Sequence, residues 1–326
     1  MTGSLRRSRV ASAAGMLCLM SAVAGCTAGT GQGGRPAAAA TTAATTPVAT
    51  PAGAAAPHCD PRASRRPAGP LPLPGHMPAG SYMDTIFRRG RLLLGTSQDT
   101  LLFSSRNPFT GVVEGFDVDM GRQVAKAIFG DPSRLQIVVI PISQRKHAVA
   151  SGQVDLVAET MTINCARLQK VDFSTVYYQA GQKVLVARNS TAKSIEDLGG
   201  KRVWAAAGST SLANLAKVPS HPIGVAAATQ AECLVRFQEG TVDAISTDDT
   251  ILVGLAAQDP YAKVVGKAFS DEPYGMAISQ AHPELTRFVN AVLERERTDG
   301  TWARLYRTWL GRFGPAPAPP AARYRG

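Results

Sequence analysis

The stretch VDLVAETMTINCARLQKVDFSTVYYQAGQKVLVA, residues 154–187, carries the pattern on which the fold turns. Its ends, Val154 to Val157 and Gln182 to Ala187, are short runs of β-branched and aliphatic residues and read as strands, whereas the polar middle around Arg167 has neither period. Working outward, Arg91 to Gly95, Leu135 to Ile140, Val203 to Ala206, Ala244 to Ser246 and Tyr274 to Ile278 read as further strands. Helical patterns separate them. Asp117 to Phe129 turns Val118, Met120, Val124, Ala127 and Ile128 to one face, and Thr229 to Glu239, Pro283 to Arg297 and Gly300 to Leu310 follow the same rule. Trp302, Leu305, Tyr306 and Trp309 recur at helical spacing and predict packing rather than ligand contact. Strands alternating with helices predict an α/β protein with largely parallel sheets.

The 326 residues allow about two domains at ~150 residues each. A formal charge of +11 first suggests a polyanion partner, but the position of the charge removes that reading. Met1 to Gly80 holds seven arginines against Asp60, or +6, and Arg312 to Gly326 adds three arginines and no acid. The remaining 11 − 6 − 3 = +2 is spread over residues 81–311, so the body offers no nucleic-acid surface. No Phe, Trp or Tyr precedes Tyr82, and a core is expected only from there.

Arg6, Arg7 and Arg9 precede an apolar run from Val10 to Ala24, too short to span a bilayer and shaped like the h-region of a signal peptide over residues 1–25. The run ends in Val23-Ala24-Gly25-Cys26, which resembles the lipobox of bacterial lipoproteins, whose cysteine is acylated and becomes the new N-terminus. Acyl chains at ~0.8 kcal/mol per buried methylene would hold such a chain on the membrane without a spanning helix. Thr27 to Pro57 is nearly all Ala, Thr, Gly and Pro and reads as a flexible tether. Gly29 to Gly34 mimics a phosphate-binding glycine loop, yet has no strand before it and no helix after it. The Pro-rich segment Pro61 to Pro78 is expected to run extended along the domain surface or over the lipid headgroups, with Arg62, Arg65 and Arg66 within reach of anionic lipid, and the lipidated N-terminus with its disordered tether is set at residues 26–80.

Seven short segments, in order over residues 82–311, resemble family 3 extracellular solute-binding proteins, the amino-acid receptors of ABC importers. The likeness is greatest to the glutamine- and glutamate-binding lipoproteins of actinobacteria. The segments are Gly115-Phe116-Asp117-Val118-Asp119; Thr160-Met161-Thr162 followed by Arg167; Val171-Asp172-Phe173-Ser174 with Tyr177-Tyr178; Asp197-Leu198-Gly199-Gly200-Lys201 with Gly208-Ser209-Thr210-Ser211; Val242-Asp243-Ala244 with Asp248; Pro273-Tyr274-Gly275; and Asp299-Gly300-Thr301-Trp302. The resemblance implies a type II periplasmic-binding-protein fold, two α/β lobes joined by two hinge strands with the ligand between them. Lobe 1 would hold residues 81–180 and 274–311, lobe 2 residues 181–273, and residues 312–326 a Pro-rich tail. It also implies a monomeric, lipid-anchored receptor on the extracytoplasmic face of the cell membrane, without cofactor or metal, that delivers an L-amino acid to a membrane permease and its ATPase. Glutamine or glutamate is the expected ligand, with aspartate or asparagine as alternatives.

A free amino acid presents a carboxylate and an ammonium at fixed separation, so its site needs a forked cation and an opposed acid. From spacing alone Arg167 is a surface residue beside Asp172; the family pattern makes it the partner of the α-carboxylate, with Thr162 adding a hydroxyl and a backbone N–H. Thr160 would share the cleft face by strand alternation. Asp248, carried over as the ammonium partner, competes with a helix N-cap role, which Thr247 or Asp249 could take instead. Ser209, Thr210 and Ser211 stand between a strand and a helix, where a capped helix start and closure over a ligand are compatible. Ser97, Gln98 and Asp99 follow the first strand and would meet the ligand side chain or ammonium, with Phe103 or Phe116 as a wall. This loop departs from simpler family members, which place an aspartate two residues before Asp99.

Enzyme motifs are incomplete. Ser143 to Lys146 and Ser190 to Lys193 fit Ser-x-x-Lys without its companion motifs, and His147, His221 and His282 stand alone. The alternatives kept are a dehydratase on the same fold with a prephenate-like substrate, and a sensor reporting to a membrane partner. Of the cysteines outside the signal and the lipobox, Cys59, Cys165 and Cys233, one stays free. A Cys165–Cys233 bond would link the implied lobes and hinder closure, which favours Cys59 with Cys165.

Overall fold

A computed structural model of the protein describes residues 59–325, so the expected signal peptide, Cys26 and the Thr27 to Pro57 tether lie outside the described residues. Two five-stranded sheets organise what is described. The first runs in the order Leu135–Val139, Leu92–Thr96, Leu156–Val157, Ala277–Ile278, Asp172–Phe173; the second runs Ile223–Ala227, Arg202–Ala206, Ala244–Asp248, Gln182–Ala187, Ala262–Val265. In each, the first three strands are parallel and the last two pairings are antiparallel, which corrects the expectation of largely parallel sheets. The reversed strands follow the places where the chain crosses between lobes. Tyr178–Ala180 leads out to Gln182–Ala187 and Glu272–Tyr274 leads back to Ala277–Ile278. The two crossings pair with each other, Glu272 opposite Ala180 and Tyr274 opposite Tyr178, and form the hinge.

Both faces of each sheet are covered. Leu92 and Leu94 face a core with Phe116, Met120, Val124 and Ile128, while Leu93 packs on the opposite face with Ile140, Val157 and Phe173. In the second lobe Leu185, Trp204 and Ile245 face one core, and Val184, Val186 and Val203 the other. The helix Phe116–Phe129 follows Gly115, whose φ of 142° and whose approach to Phe103 leave no room for a side chain: a Cβ there would sit 2.2 Å from the Phe103 carbonyl oxygen. It stops at Gly130, which adopts a left-handed φ of 78° and donates its N–H to the Lys126 carbonyl. Helix Thr301–Leu310 docks through Trp302, whose Nε1 donates to the Tyr177 carbonyl at 2.7 Å. No helix among the described residues is long and apolar enough to cross a membrane.

Of the two courses expected for Pro61 to Pro78, the one along the domain surface is seen, and residues 59–80, expected to belong to the disordered tether, are ordered. Cys59 is bonded to Cys165, and Ala63–Ser64 pairs in parallel with Arg323–Tyr324 of the C-terminal tail. Ser64 Oγ donates to the Phe173 carbonyl at 2.6 Å, and Asn290 Nδ2 donates to Ser64 Oγ and to the Arg65 carbonyl. The arginines assigned to lipid are engaged with protein: Arg62 with Gln179 and Asp271, Arg65 with Asp172, and Arg66 over the Tyr324 ring. Composition misled here because single ion pairs with distant residues leave no mark on a Pro- and Ala-rich segment.

Candidate functional site

Between the lobes lies a small cavity, ≈ 20 Å³, lined by Ile142, Arg145, Thr160, Thr162 and Arg167 from lobe 1 and by Ala206, Ser209, Thr210, Ser211, Gln230, Thr247, Asp248 and Ile251 from lobe 2. That is about the room one water needs, so the lobes stand closed. Seven of the expected residues meet here: Thr160, Thr162, Arg167, Ser209, Thr210, Ser211 and Asp248.

Arg167 is positioned by a one-turn helix, Cys165–Leu168, whose N-cap Asn164 accepts the Arg167 N–H through its side chain at 2.9 Å. The guanidinium, buried, donates to the Thr162 carbonyl at 2.6 Å and to the Gly208 carbonyl at 3.4 Å, touching both lobes. Burial and the Arg145 charge push it below the usual guanidinium value, and Glu272 and Asp248 push it back. An arginine remains cationic under these conditions.

Asp248 occupies the N-cap position of helix Asp249–Ala256 but makes no capping bond, while Asp249 Oδ1 accepts the Thr250 N–H at 2.9 Å. One Asp248 oxygen accepts the Tyr274 hydroxyl at 2.6 Å; the other is buried without a partner. Burial, and after it the Glu272 charge, raise its carboxyl to about 8. A buried acceptor left open in this way is suited to an ammonium.

The hydroxyls do not all match their expected roles. Ser209 Oγ accepts the Leu212 N–H at 3.1 Å and donates to the Ala206 carbonyl, so it caps its helix. Thr162 and Thr210 both donate to Glu272 Oε2, at 2.6 and 2.8 Å, instead of pointing freely at a carboxylate. Thr160 does not follow strand alternation: it has a φ of 43°, and its N–H is held at 2.7 Å by the fully buried Asp117, whose other oxygen accepts the Tyr177 hydroxyl. Burial raises Asp117 to about 7.

The first loop matches its expectation only in part. Phe103 and Phe116 form no cleft wall, because both are fully buried in an aromatic cluster with Tyr178, Tyr274 and Trp302. Phe103 sits in the turn between the short strands Asp99–Thr100 and Ser104–Arg106 and Phe116 opens the helix Phe116–Phe129, positions where no regular apolar period marks burial. Ser97 turns inward, sharing hydrogen bonds with Thr100 and Ser104 at 2.9 and 2.7 Å. Asp99 accepts the Ala231 N–H at 3.0 Å across the lobes. With Glu159 these two residues line a second inter-lobe cavity, ≈ 460 Å³, that shares Ile142 with the first.

Glu272, Arg145, Glu159, Gln230 and Tyr274 carried no sequence-level assignment. Glu272 is the hub of the closed state, also accepting from Asn214 Nδ2 at 3.0 Å and from Ser270 Oγ at 2.6 Å. Arg145 is buried and donates to the carbonyls of Ile142 and Glu159. It lies inside the Ser143 to Lys146 match to Ser-x-x-Lys, at a position that motif leaves unspecified. Among the described residues no group of acids, cysteines and histidines could hold a metal ion.

The model of the bacterial extracellular solute-binding proteins, family 3, matches residues 92–312. The chain is 37% identical over 221 residues to the ABC transporter glutamine-binding protein GlnH of Bacillus subtilis, covering 68% of this chain and 81% of that protein. It is 30% identical over 249 residues to the glutamate-binding protein GluB of Corynebacterium glutamicum, covering 73% and 84%. Among solved structures, an ancestral arginine-binding protein bound to glutamine superposes with a TM-score of 0.64 at 33% identity, over 68% of this chain and 99% of that one. The two-lobed arrangement is the type II periplasmic-binding-protein fold. These relatives are binding proteins rather than enzymes, which sets aside the dehydratase reading.

Proposed function

We propose, from the premise that this chain belongs to the bacterial extracellular solute-binding proteins of family 3, that it captures glutamine or glutamate between its lobes and delivers it to an ABC permease and its ATPase. One observation carries the reading. The closed cavity brings a lobe 1 guanidinium, Arg167, together with a lobe 2 carboxylate, Asp248, that keeps one oxygen open. These are the opposite charges that an amino acid's backbone groups require. The cavity admits nothing larger than a water, so the ligand enters with the lobes apart, on lobe 1, and lobe 2 then swings in about the paired hinge strands. Glu272 tightens that closure by holding Thr162 of one lobe and Thr210 of the other. A signal peptide ending at a lipid-modified Cys26 would place this activity on the extracytoplasmic face of the cell membrane.

A thermal-shift screen against the twenty amino acids tests the assignment. A true ligand at 1,000 times its Kd adds ~4 kcal/mol to stability, and no shift with any of the twenty would overturn it. Capture should also release protons. An ammonium needs Asp248 ionised, and with the lobes closed burial and the Glu272 charge hold its carboxyl at about 8, so a bound ammonium lowers that value. Below pH 8 the affinity for glutamine is expected to rise with pH, by up to about tenfold per unit between pH 6 and 8. Calorimetry in buffers of different ionisation enthalpy should read about one proton released at pH 7. Glutamine affinity unchanged in Asp248→Asn would remove Asp248 from the ammonium role.

A further inference from the structure

The larger inter-lobe cavity has a chemical character that selects among amino acids. Its lining includes two carboxylates, Asp99 and Glu159, and no lysine or arginine. Glu159 is 1% exposed, and neither of its carboxylate oxygens has a hydrogen-bond partner. Burial raises the Glu159 carboxyl to about 8 against the opposing charge of Arg145, whose hydrogen bonds go to backbone: Nη1 donates at 2.8 Å to the Glu159 carbonyl and Nε to the Ile142 carbonyl. Of the two Asp99 oxygens, Oδ2 accepts the Ala231 N–H, which brings this acid across to lobe 2. In the adjoining small cavity Gln230 Oε1 is likewise buried without a donor. A buried acceptor without a donor costs free energy that only an incoming N–H or O–H recovers.

Building on the amino-acid reading above, we infer that Glu159, with Asp99 behind it, is a specificity-determining residue that requires a ligand side chain ending in N–H donors, a carboxamide or a guanidinium, and rejects a side-chain carboxylate. With the lobes apart enough to admit them, the α-groups are held between Arg167 and Asp248, and Ile142, common to both cavities, marks where a side chain passes from one to the other. A carboxamide or guanidinium satisfies the Glu159 oxygens, whereas a carboxylate would be desolvated beside two acidic groups in a cavity lined by no lysine or arginine, with Arg145 committed to backbone carbonyls. A site built to receive donors discriminates more strongly than one that merely fits a shape, because the wrong ligand leaves its buried acceptors unpaired.

The test is calorimetric titration of the full chain with L-glutamine, L-arginine and L-glutamate. The expected result is that glutamine or arginine binds at least about tenfold more tightly than glutamate. Whichever of the two binds better tells whether the carboxamide or the guanidinium is the natural terminus. Glu159→Gln should shrink the preference to within about threefold, chiefly by improving glutamate. Should that variant fail to fold, Glu159→Asp, which withdraws the carboxylate by one methylene, should reduce the preference in the same direction. Glutamate binding as tightly as the donors in the unaltered chain, or an unchanged ratio in a folded Glu159 variant, would overturn the inference while leaving the amino-acid reading intact. Absence of binding by all three would overturn both.

Discussion

Replacing Arg167 with alanine is expected to abolish amino-acid capture while leaving the protein folded. Truncating one member of a buried, hydrogen-bonded charge pair costs ~2–5 kcal/mol, roughly 30- to 5,000-fold in affinity. The upper part of that range applies here, because the guanidinium is buried and would meet the ligand carboxylate in a desolvated cavity. Stability should change little. The variant loses the bonds to the Thr162 and Gly208 carbonyls, but it also relieves the burial of a cation that desolvation disfavours. Arg167→Lys keeps the charge and loses the fork, so it should fall between the two. Calorimetry with glutamine, together with a thermal melt, separates these effects. An isotherm unchanged in Arg167→Ala would remove the residue from the site.

Breaking the bond between Cys59 and Cys165 has the largest expected effect on stability. The bridge closes a loop of 106 residues. In the chain-entropy model a loop of that size confines the unfolded ensemble by ~4.7 kcal/mol, and native disulfides removed from small domains typically cost ~2–5 kcal/mol. The double variant Cys59→Ala, Cys165→Ala should therefore lower the urea midpoint strongly, by the equivalent of ~3–5 kcal/mol. Cys233 serves as the internal control: it is fully buried, burial raises its thiol far above the ordinary value, and its removal tests packing alone. A loss below ~1 kcal/mol would mean that the bridge does not constrain the unfolded chain as its span requires.

The long helices and the central strands were legible because their apolar periods are long and regular. Asp117 to Phe129 is seen as Phe116–Phe129, and Pro283 to Arg297 as Pro283–Thr298. The strands Ile223–Ala227 and Ala262–Val265 escaped notice because edge strands are half exposed and need no strict alternation. In the site, the opposed charges of Arg167 and Asp248 could be read from short motifs. Glu272 could not, since one acid at a strand start is indistinguishable from a solvated one until folding brings Thr162, Thr210, Asn214 and Ser270 around it. Phe103 and Phe116 show the converse, since an aromatic near a cleft-forming loop can equally be the core beneath it.

The anchorage of residues 59–66 on lobe 1 also decides how the molecule bears load. The covalent attachment at Cys165 stands two residues before Arg167, and the strand pair Ala63–Ser64 with Arg323–Tyr324 joins both ends of the described chain on that lobe. Tension on the chain preceding Cys59 therefore enters lobe 1 through sulfur, beside the residue assigned to the ligand carboxylate, before it reaches the Arg62 contact with Asp271 near the hinge. In the capture proposed above, lobe 1 would be the fixed jaw and lobe 2 the moving one. Traction from the N-terminal side can pull on the fixed jaw without prising the pair open.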